Sequence, residues 1–358
     1  MILSAMGILF VVDQHSGDGI GLITSVFPYG SFFMPMFMFI SGYFWKEKQV
    51  QSWSAAGAYL VGKFKKLMVP YLLWSVFYGF MVTVLNWAGM KLPQPSILNF
   101  VYSVFTDGTA FGLNGAAWFV PTLFAVTVTY TLLRKLMGRL WNDTGALAVF
   151  ILAGAATVAL VQRSGGVYYK ALLLYKIGFF IQFFQLGLYF NRYLEKWFDR
   201  TNGLGLCLSM MVVNFVLLAG YGNLDMGVLS VMDGFSAGNC LVPLLTAVTG
   251  IFFWLKIAKF MEPVLGGSKL VNYISDHTFF IMMHHVLFLV AFSVLLFAGM
   301  KLGVPGLGDF DVGAFLSDPW YRYVPYGWMK AAYFLFSTAA TVVFSCLFDW
   351  IAQKIRRK

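Results

Sequence analysis

The chain has 358 residues, of which 59% are hydrophobic and only 11% charged, with a formal net charge of +10. A water-soluble core of this size needs far more charged surface. The basic residues sit in short clusters beside apolar runs, which argues against the broad basic surface of a nucleic-acid binder and describes one face of a multi-pass membrane protein.

Ten apolar stretches follow one another, at 1–15, 24–45, 67–90, 115–133, 145–162, 171–190, 204–221, 240–258, 272–299 and 329–351. A helix needs about 20 such residues to cross about 30 Å of hydrocarbon, because lipid offers its backbone groups no partner but one another. Basic residues fill every second gap: Lys46, Lys48, Lys63, Lys65 and Lys66; Arg134, Lys135 and Arg139; Arg192, Lys196 and Arg200; Lys256, Lys259 and Lys269; and the tail Lys354, Arg356, Arg357 and Lys358. Lys91, Arg163, Lys170, Lys176, Lys301, Arg322 and Lys330 fall in the other gaps or within the stretches. The bias predicts an all-α integral membrane protein of about ten transmembrane helices, multi-pass in the cytoplasmic membrane, with both termini cytoplasmic.

The first stretch is short. Twelve residues precede Asp13 and reach about 18 Å as a helix, so either the chain starts inside a helix or further residues precede it. It lacks the basic n-region and A-x-A site of a cleavable signal. Cys207, Cys240 and Cys346 lie in or beside apolar segments and imply no disulfide framework. No repeat or low-complexity linker stands out, and the gaps 46–66, 91–114 and 300–328 are too small to fold alone, so residues 1–358 read as a single transmembrane domain with no separate soluble one.

The candidate chemistry follows the same order. His15 ends the first stretch beside Asp13, Gln14, Ser16 and Asp18; it is either a proton-exchanging group at a water-filled site or an interfacial residue in a solvated loop. Lys63 and Lys66 enter the third stretch and suit either phosphate groups or anionic lipid. Trp118 opens the fourth stretch, and Lys176, Gln182 and Gln185 interrupt the sixth, Lys176 marking a polar cavity unless it snorkels outward. Ser275 or Asp276 is expected to cap the ninth helix, leaving His284 and His285 as hydrogen-bonding or catalytic groups; metal binding is not indicated, since no Cys or second acidic ligand has matching spacing. The last outer gap mixes Asp309, Asp311 and Asp318 with Trp320, Tyr321, Tyr323, Tyr326 and Trp328, as a sugar site or an interfacial aromatic belt would.

Several segments, in order, resemble the integral membrane acyltransferase-3 family, whose members commonly O-acetylate bacterial surface polysaccharides and their lipid-linked precursors. They are Gly7 to Val12 leading to His15; Phe37 to Phe44; the basic loop running into Pro70 and Tyr71; Trp118, Phe119 and Pro121; Phe184 to Gly187; and Thr278 to His285. The resemblance implies transfer of an acyl group, usually from acetyl-CoA on the cytoplasmic side, to a hydroxyl of an extracytoplasmic or lipid-linked glycan. No permanently bound cofactor is implied, acetyl-CoA or another acyl-CoA being the donor substrate. Partners are then the acyl-CoA, the glycan acceptor and membrane lipids, with no nucleic acid; a homo-oligomer is left open. His15 matches the family's first-helix His, His285 or else His284 its late-helix His, and Lys63 and Lys66 its paired basic residues that meet the coenzyme. Lys176 joins them as a cofactor-side candidate, and Trp118, Asp309, Asp311 and Trp320 are the acceptor-side candidates. One departure stands out: the family carries Arg or Lys eleven residues before its first His, where this chain has Ser4. The competing reading is a transporter or exporter of a small solute or glycan precursor, because polar groups inside ten spans fit translocation as well.

Overall fold

In the computed structural model, helices start where the sequence supplies a side chain for their free backbone N–H groups. It describes residues 1–17, 26–96, 111–138, 142–164, 171–222 and 239–356, with single positions 98, 100 and 103 between them. Asp18, Arg139, Lys170, Arg357 and Lys358 lie outside the described residues. Ser52, Asn142, Asn202 and Ser268 each accept a hydrogen bond from the backbone N–H three residues on, a cap worth about 1 kcal/mol.

The helices are α1 (Ile2–His15), α2 (Tyr29–Tyr43), α3 (Trp53–Trp87), α4 (Gly112–Met137), α5 (Asp143–Arg163), α6 (Leu172–Arg200), α7 (Gly203–Tyr221), α8 (Val242–Leu265), α9 (Lys269–Asp276), α10 (Thr278–Lys301), α11 (Val312–Ser317) and α12 (Trp328–Arg356). No strand occurs among the described residues. The chain is an all-α integral membrane protein, with eight helices among the described residues long and apolar enough to cross a bilayer. The ten expected spans all appear as helix, in order, but α1 and α2 have only 14 and 15 residues and fall short of a full crossing. The third helix starts at Trp53, ahead of the expected 67. The ninth stretch is two helices with a break at His277; neither Ser275 nor Asp276 caps α10, whose N-cap position is His277 itself, without a side-chain cap.

Two long helices contain a π turn. In α3 it spans Phe64–Met68, and the N–H of Val69 reaches back to the carbonyl of Phe64. Pro70 follows directly: it has no N–H to give and crowds the carbonyl four residues earlier, and a widened turn absorbs both effects. The second π turn, Phe190–Leu194, lies in α6.

The core is one continuous apolar cluster in which α6 is central, packing against α2, α4 and α5. Buried polar groups tie the helices. Asp143 accepts from Arg134 (3.0 Å) and Arg192 (2.7 Å), and Glu47 joins both. Gln185 donates to the Asp143 carbonyl (2.9 Å) and accepts from the Tyr130 hydroxyl (2.6 Å). Lys256 turns inward and donates to the carbonyls of Phe198 and Thr201. These ties lie at the face of the bundle that carries the basic clusters, called the basic face below. On the opposite face the 302–327 connection folds over the bundle around its own small cluster of Leu307, Phe310, Phe315, Tyr323 and Met329.

Candidate active site

His15 is the last residue of α1, and its surroundings are ordered by polar groups of the same turn. The Tyr29 hydroxyl donates to the Asp13 carboxylate (2.7 Å), and the Ser16 hydroxyl donates to the Val12 carbonyl (2.7 Å). Asp13 and Ser16 are buried and His15 is half-buried, so this end of α1 is packed protein rather than a solvated loop.

The His15 ring lies against that of His285, a fully buried residue in the second turn of α10. The rings are nearly parallel, 5.1 Å apart, and Nδ1 of His15 is 2.8 Å from Nε2 of His285. Nδ1 of His285 is 3.0 Å from the carbonyl of Ile281. A carbonyl only accepts, so Nδ1 of His285 carries the hydrogen and, in the neutral ring, Nε2 is an acceptor. Nδ1 of His15 therefore donates to it, which leaves the lone pair on Nε2 of His15. That nitrogen has no hydrogen-bond partner among the described residues. The Ser337 hydroxyl donates to the His285 carbonyl (2.8 Å) and fixes this point of α10 to α12.

The 302–327 connection covers the pair. The Trp320 indole packs 5.0 Å from the His15 ring, tilted by 60°. It sits over Gly115, where any side chain would run into the indole, and Pro319 takes the space beside Gly112. Asp318 accepts from the Trp320 N–H (2.8 Å). Arg322 donates from Nε to the His15 carbonyl (3.2 Å) and from Nη1 to the carbonyls of Pro319 (3.0 Å) and Tyr321 (2.8 Å). Asp309 is exposed, and Asp311 caps α11 by accepting from the Ala314 N–H. Neither reaches His15; Tyr321 and Tyr323 pack on Phe310 within the connection.

On the basic-face side of the pair, an apolar slot of about 170 Å³ runs between α1, α2, α4 and α10, lined among others by Ser4, Ile8, Leu67, Phe119, Thr278 and Met282. A wider cavity of about 350 Å³ opens at the basic face, and Ser4 and Ile40 line both. Leu67 carries the slot wall into the π turn of α3, which is flanked by half-buried Lys63 and contains exposed Lys66. Such turns recur at functional sites because they re-aim the neighbouring residues.

Lys176 is fully buried in α6, with Nζ 4.3 Å from the centre of the Trp118 ring. Trp118 adjoins Phe119 of the slot. His284 points elsewhere: its Nδ1 is 2.8 Å from the Tyr78 hydroxyl, and its ring is enclosed by Trp74, Phe280 and Phe344. The structure thus brings His15, His285 and Trp320 together, joins Lys176 to Trp118, and leaves His284, Asp309 and Asp311 apart from the pair. Arg322 was passed over as one of the scattered cations; the available signal was its isolation, as the one basic residue between Lys301 and Lys330.

Residues 4–350 match the family model Acyl_transf_3, described as an acyltransferase domain. No curated protein and no solved structure matches the chain.

Proposed function

The chain belongs to the acyltransferase-3 family, and from that premise we propose that this membrane acyltransferase moves an acyl group, acetyl in the first instance, from acyl-CoA to a hydroxyl of an extracytoplasmic or lipid-linked glycan. The exporter reading has no such support. The observation that carries the chemical assignment is the hydrogen-bond order from the Ile281 carbonyl through His285 to His15. It holds His15 in the tautomer whose Nε2 accepts a proton, and puts that nitrogen on the member of the pair that is not sealed in.

A sugar hydroxyl is a poor nucleophile near neutral pH, and a positioned neutral His contributes about 10²- to 10⁴-fold by taking its proton. The hydroxyl oxygen bonds to the thioester carbonyl carbon while its proton passes to Nε2 of His15. The carbon–sulfur bond then breaks, and the proton passes from His15 to the departing thiolate. The products are the glycan ester and free coenzyme A. His285 is a positioning residue: it orients His15 and stabilises the imidazolium that forms.

The positive-inside bias makes the basic face cytoplasmic and places both termini there. At about 170 Å³ the slot lies below the size of ordinary ligand sites, about 300 Å³ and upward, so an extended acyl-pantetheine arm enters from this side only as the lining side chains part, and the nucleotide stays outside. The nucleotide phosphates then stay near Lys63 and Lys66, beside the π turn of α3. On the far side, Trp320 and Trp118 offer the glycan flat apolar surfaces, with Lys176 beneath Trp118; Asp309 and Asp311 meet only an acceptor that extends along the connection.

The test is transfer of label from radiolabelled acetyl-CoA to a panel of lipid-linked glycans by purified protein in lipid nanodiscs. Label on a glycan that disappears in His15→Ala is the expected result. Undiminished transfer by His15→Ala refutes the assigned base, and no binding of acyl-CoA at all refutes the donor.

A further inference from the structure

Arg322 is a cation that caps the end of α1 and the turn that precedes it in sequence, yet keeps part of its guanidinium unused. It is the lone basic residue of the 302–327 connection, yet its side chain runs inward to the end of α1. Of the five N–H groups of a guanidinium, the one on Nε goes to the His15 carbonyl and those on Nη1 go to the carbonyls of Pro319 and Tyr321. Nη2 is buried and meets no acceptor among the described residues. No carboxylate lies within ion-pair distance of Arg322 among the described residues; the Asp318 carboxylate accepts from the Trp320 backbone N–H and acts on Arg322 only at longer range. Its carbon centre lies 5.8 Å from the Tyr333 ring, which holds the fork in plane. Burial pushes its pKa down to about 10, so the charge persists at neutral pH.

A half-buried cation with no carboxylate in ion-pair contact and a buried, unused donor is placed to meet a negative charge that appears during the functional cycle. The two His rings beside it are neutral in the resting hydrogen-bond order, so Arg322 is a formal positive charge tied to the reacting residue itself through the His15 carbonyl. From this geometry we infer that Arg322 is a catalytic residue whose Nη2 donates to the thioester carbonyl oxygen as that oxygen gains negative charge. The inference rests on the acyl-transfer reading above. Its three bonds to carbonyls fix the donor in advance, so no reorganisation is needed when the charge develops. In the resting state the Trp320 segment covers the site; an acceptor that displaces the indole uncovers both the base and this donor.

The experiment measures kcat, the KM of each substrate and the Kd of acyl-CoA for Arg322→Lys and Arg322→Ala in nanodiscs, using one neutral and one anionic acceptor. Loss of one such donor costs about 100- to 1000-fold in kcat. The expected result is a fall of that size in Arg322→Ala for both acceptors, with acyl-CoA binding and both KM values within a few-fold of wild type. Arg322→Lys, which keeps a charge without the fork, falls between the two, and millimolar guanidinium restores part of the Arg322→Ala rate. A loss confined to the KM of the anionic acceptor shows an acceptor-anion site and overturns the inference. So does loss of acyl-CoA binding, which shows a purely structural tie, and so does an unchanged kcat. Full activity in His15→Ala instead brings down the acyl-transfer reading itself, independently of these outcomes.

Discussion

Gly42 and Gly187 are seated reciprocally: a side chain on Gly42 would strike the backbone of Phe184, and one on Gly187 would strike the backbone carbonyl of Phe39. Helices α2 and α6 therefore touch backbone to backbone, as small residues allow inside a membrane, where close packing replaces the hydrophobic effect as the force between helices. Since α2 also packs on α1, this crossing helps to set the depth of the first helix and its terminal His15. Gly187→Leu is expected to lower stability by about 1–3 kcal/mol or more, read as a reduced thermal midpoint in detergent. Gly57→Leu is the control, because that position faces open space. Equal midpoints for the two variants would refute the close crossing.

The two histidines of the pair are expected to respond differently. His15→Ala removes the base and should reduce kcat by about 10²- to 10⁴-fold. His285→Gln retains an acceptor for Nδ1 of His15 and should keep more activity than His285→Ala, with the acyl-CoA KM little changed in all three. Measured kcat values that rank His285→Gln with or below His15→Ala would contradict the orienting role.

For His284 the expected effect is on folding. Tyr78 gives its hydroxyl hydrogen to the Met283 carbonyl (2.8 Å), so Nδ1 of His284 donates to the Tyr78 oxygen. Tyr78→Phe leaves buried groups unpaired, at about 1–3 kcal/mol. Thermal unfolding should show that loss while transfer per folded molecule stays within a few-fold of wild type. A large fall in kcat without loss of stability would return His284 to the chemistry.

Beside the π turn of α3, Lys63→Ala with Lys66→Ala should raise the acyl-CoA KM several-fold at low salt and leave kcat nearly unchanged. The difference from wild type should shrink as salt rises, since exposed charges are screened over about 10 Å at 0.1 M. A salt-independent KM equal to wild type would leave these residues with topology and lipid contact alone.

The sequence pattern was informative where length and hydropathy decide the outcome. It located, in order, the ten apolar stretches that appear as helix among the described residues, because each span must satisfy its own backbone. It was blind to how they meet. His15 and His285 are 270 positions apart; residue chemistry marked each as a candidate, but nothing in the spacing shows that they meet. Arg322 was invisible as a site residue because its partners are backbone carbonyls, which leave no trace in side-chain spacing. The ninth helix was expected to start at Ser275 or Asp276, close to the observed start after His277, but the separate helix α9 before the break was missed; His277 itself is held by a long-range contact with Asp349 (3.0 Å). Gly42 and Gly187 looked like ordinary members of apolar runs, since a pattern does not show which helix faces which.

The indole of Trp320 also bears on a choice the histidines cannot make. To a base, water and a sugar hydroxyl are similar substrates, and water at a membrane surface is far more abundant. An activated thioester beside an open His15 would be hydrolysed, draining the donor pool without product. The ring covers one side of His15, and on the proposed reading a pyranose, which offers a flat apolar surface of its own, replaces it more readily than water does. On that reading, economy in the use of donor falls to a stacking contact outside the proton-transfer chain, and leakage, measured as acyl-CoA consumed per ester formed, is the property expected to rise when Trp320 is replaced.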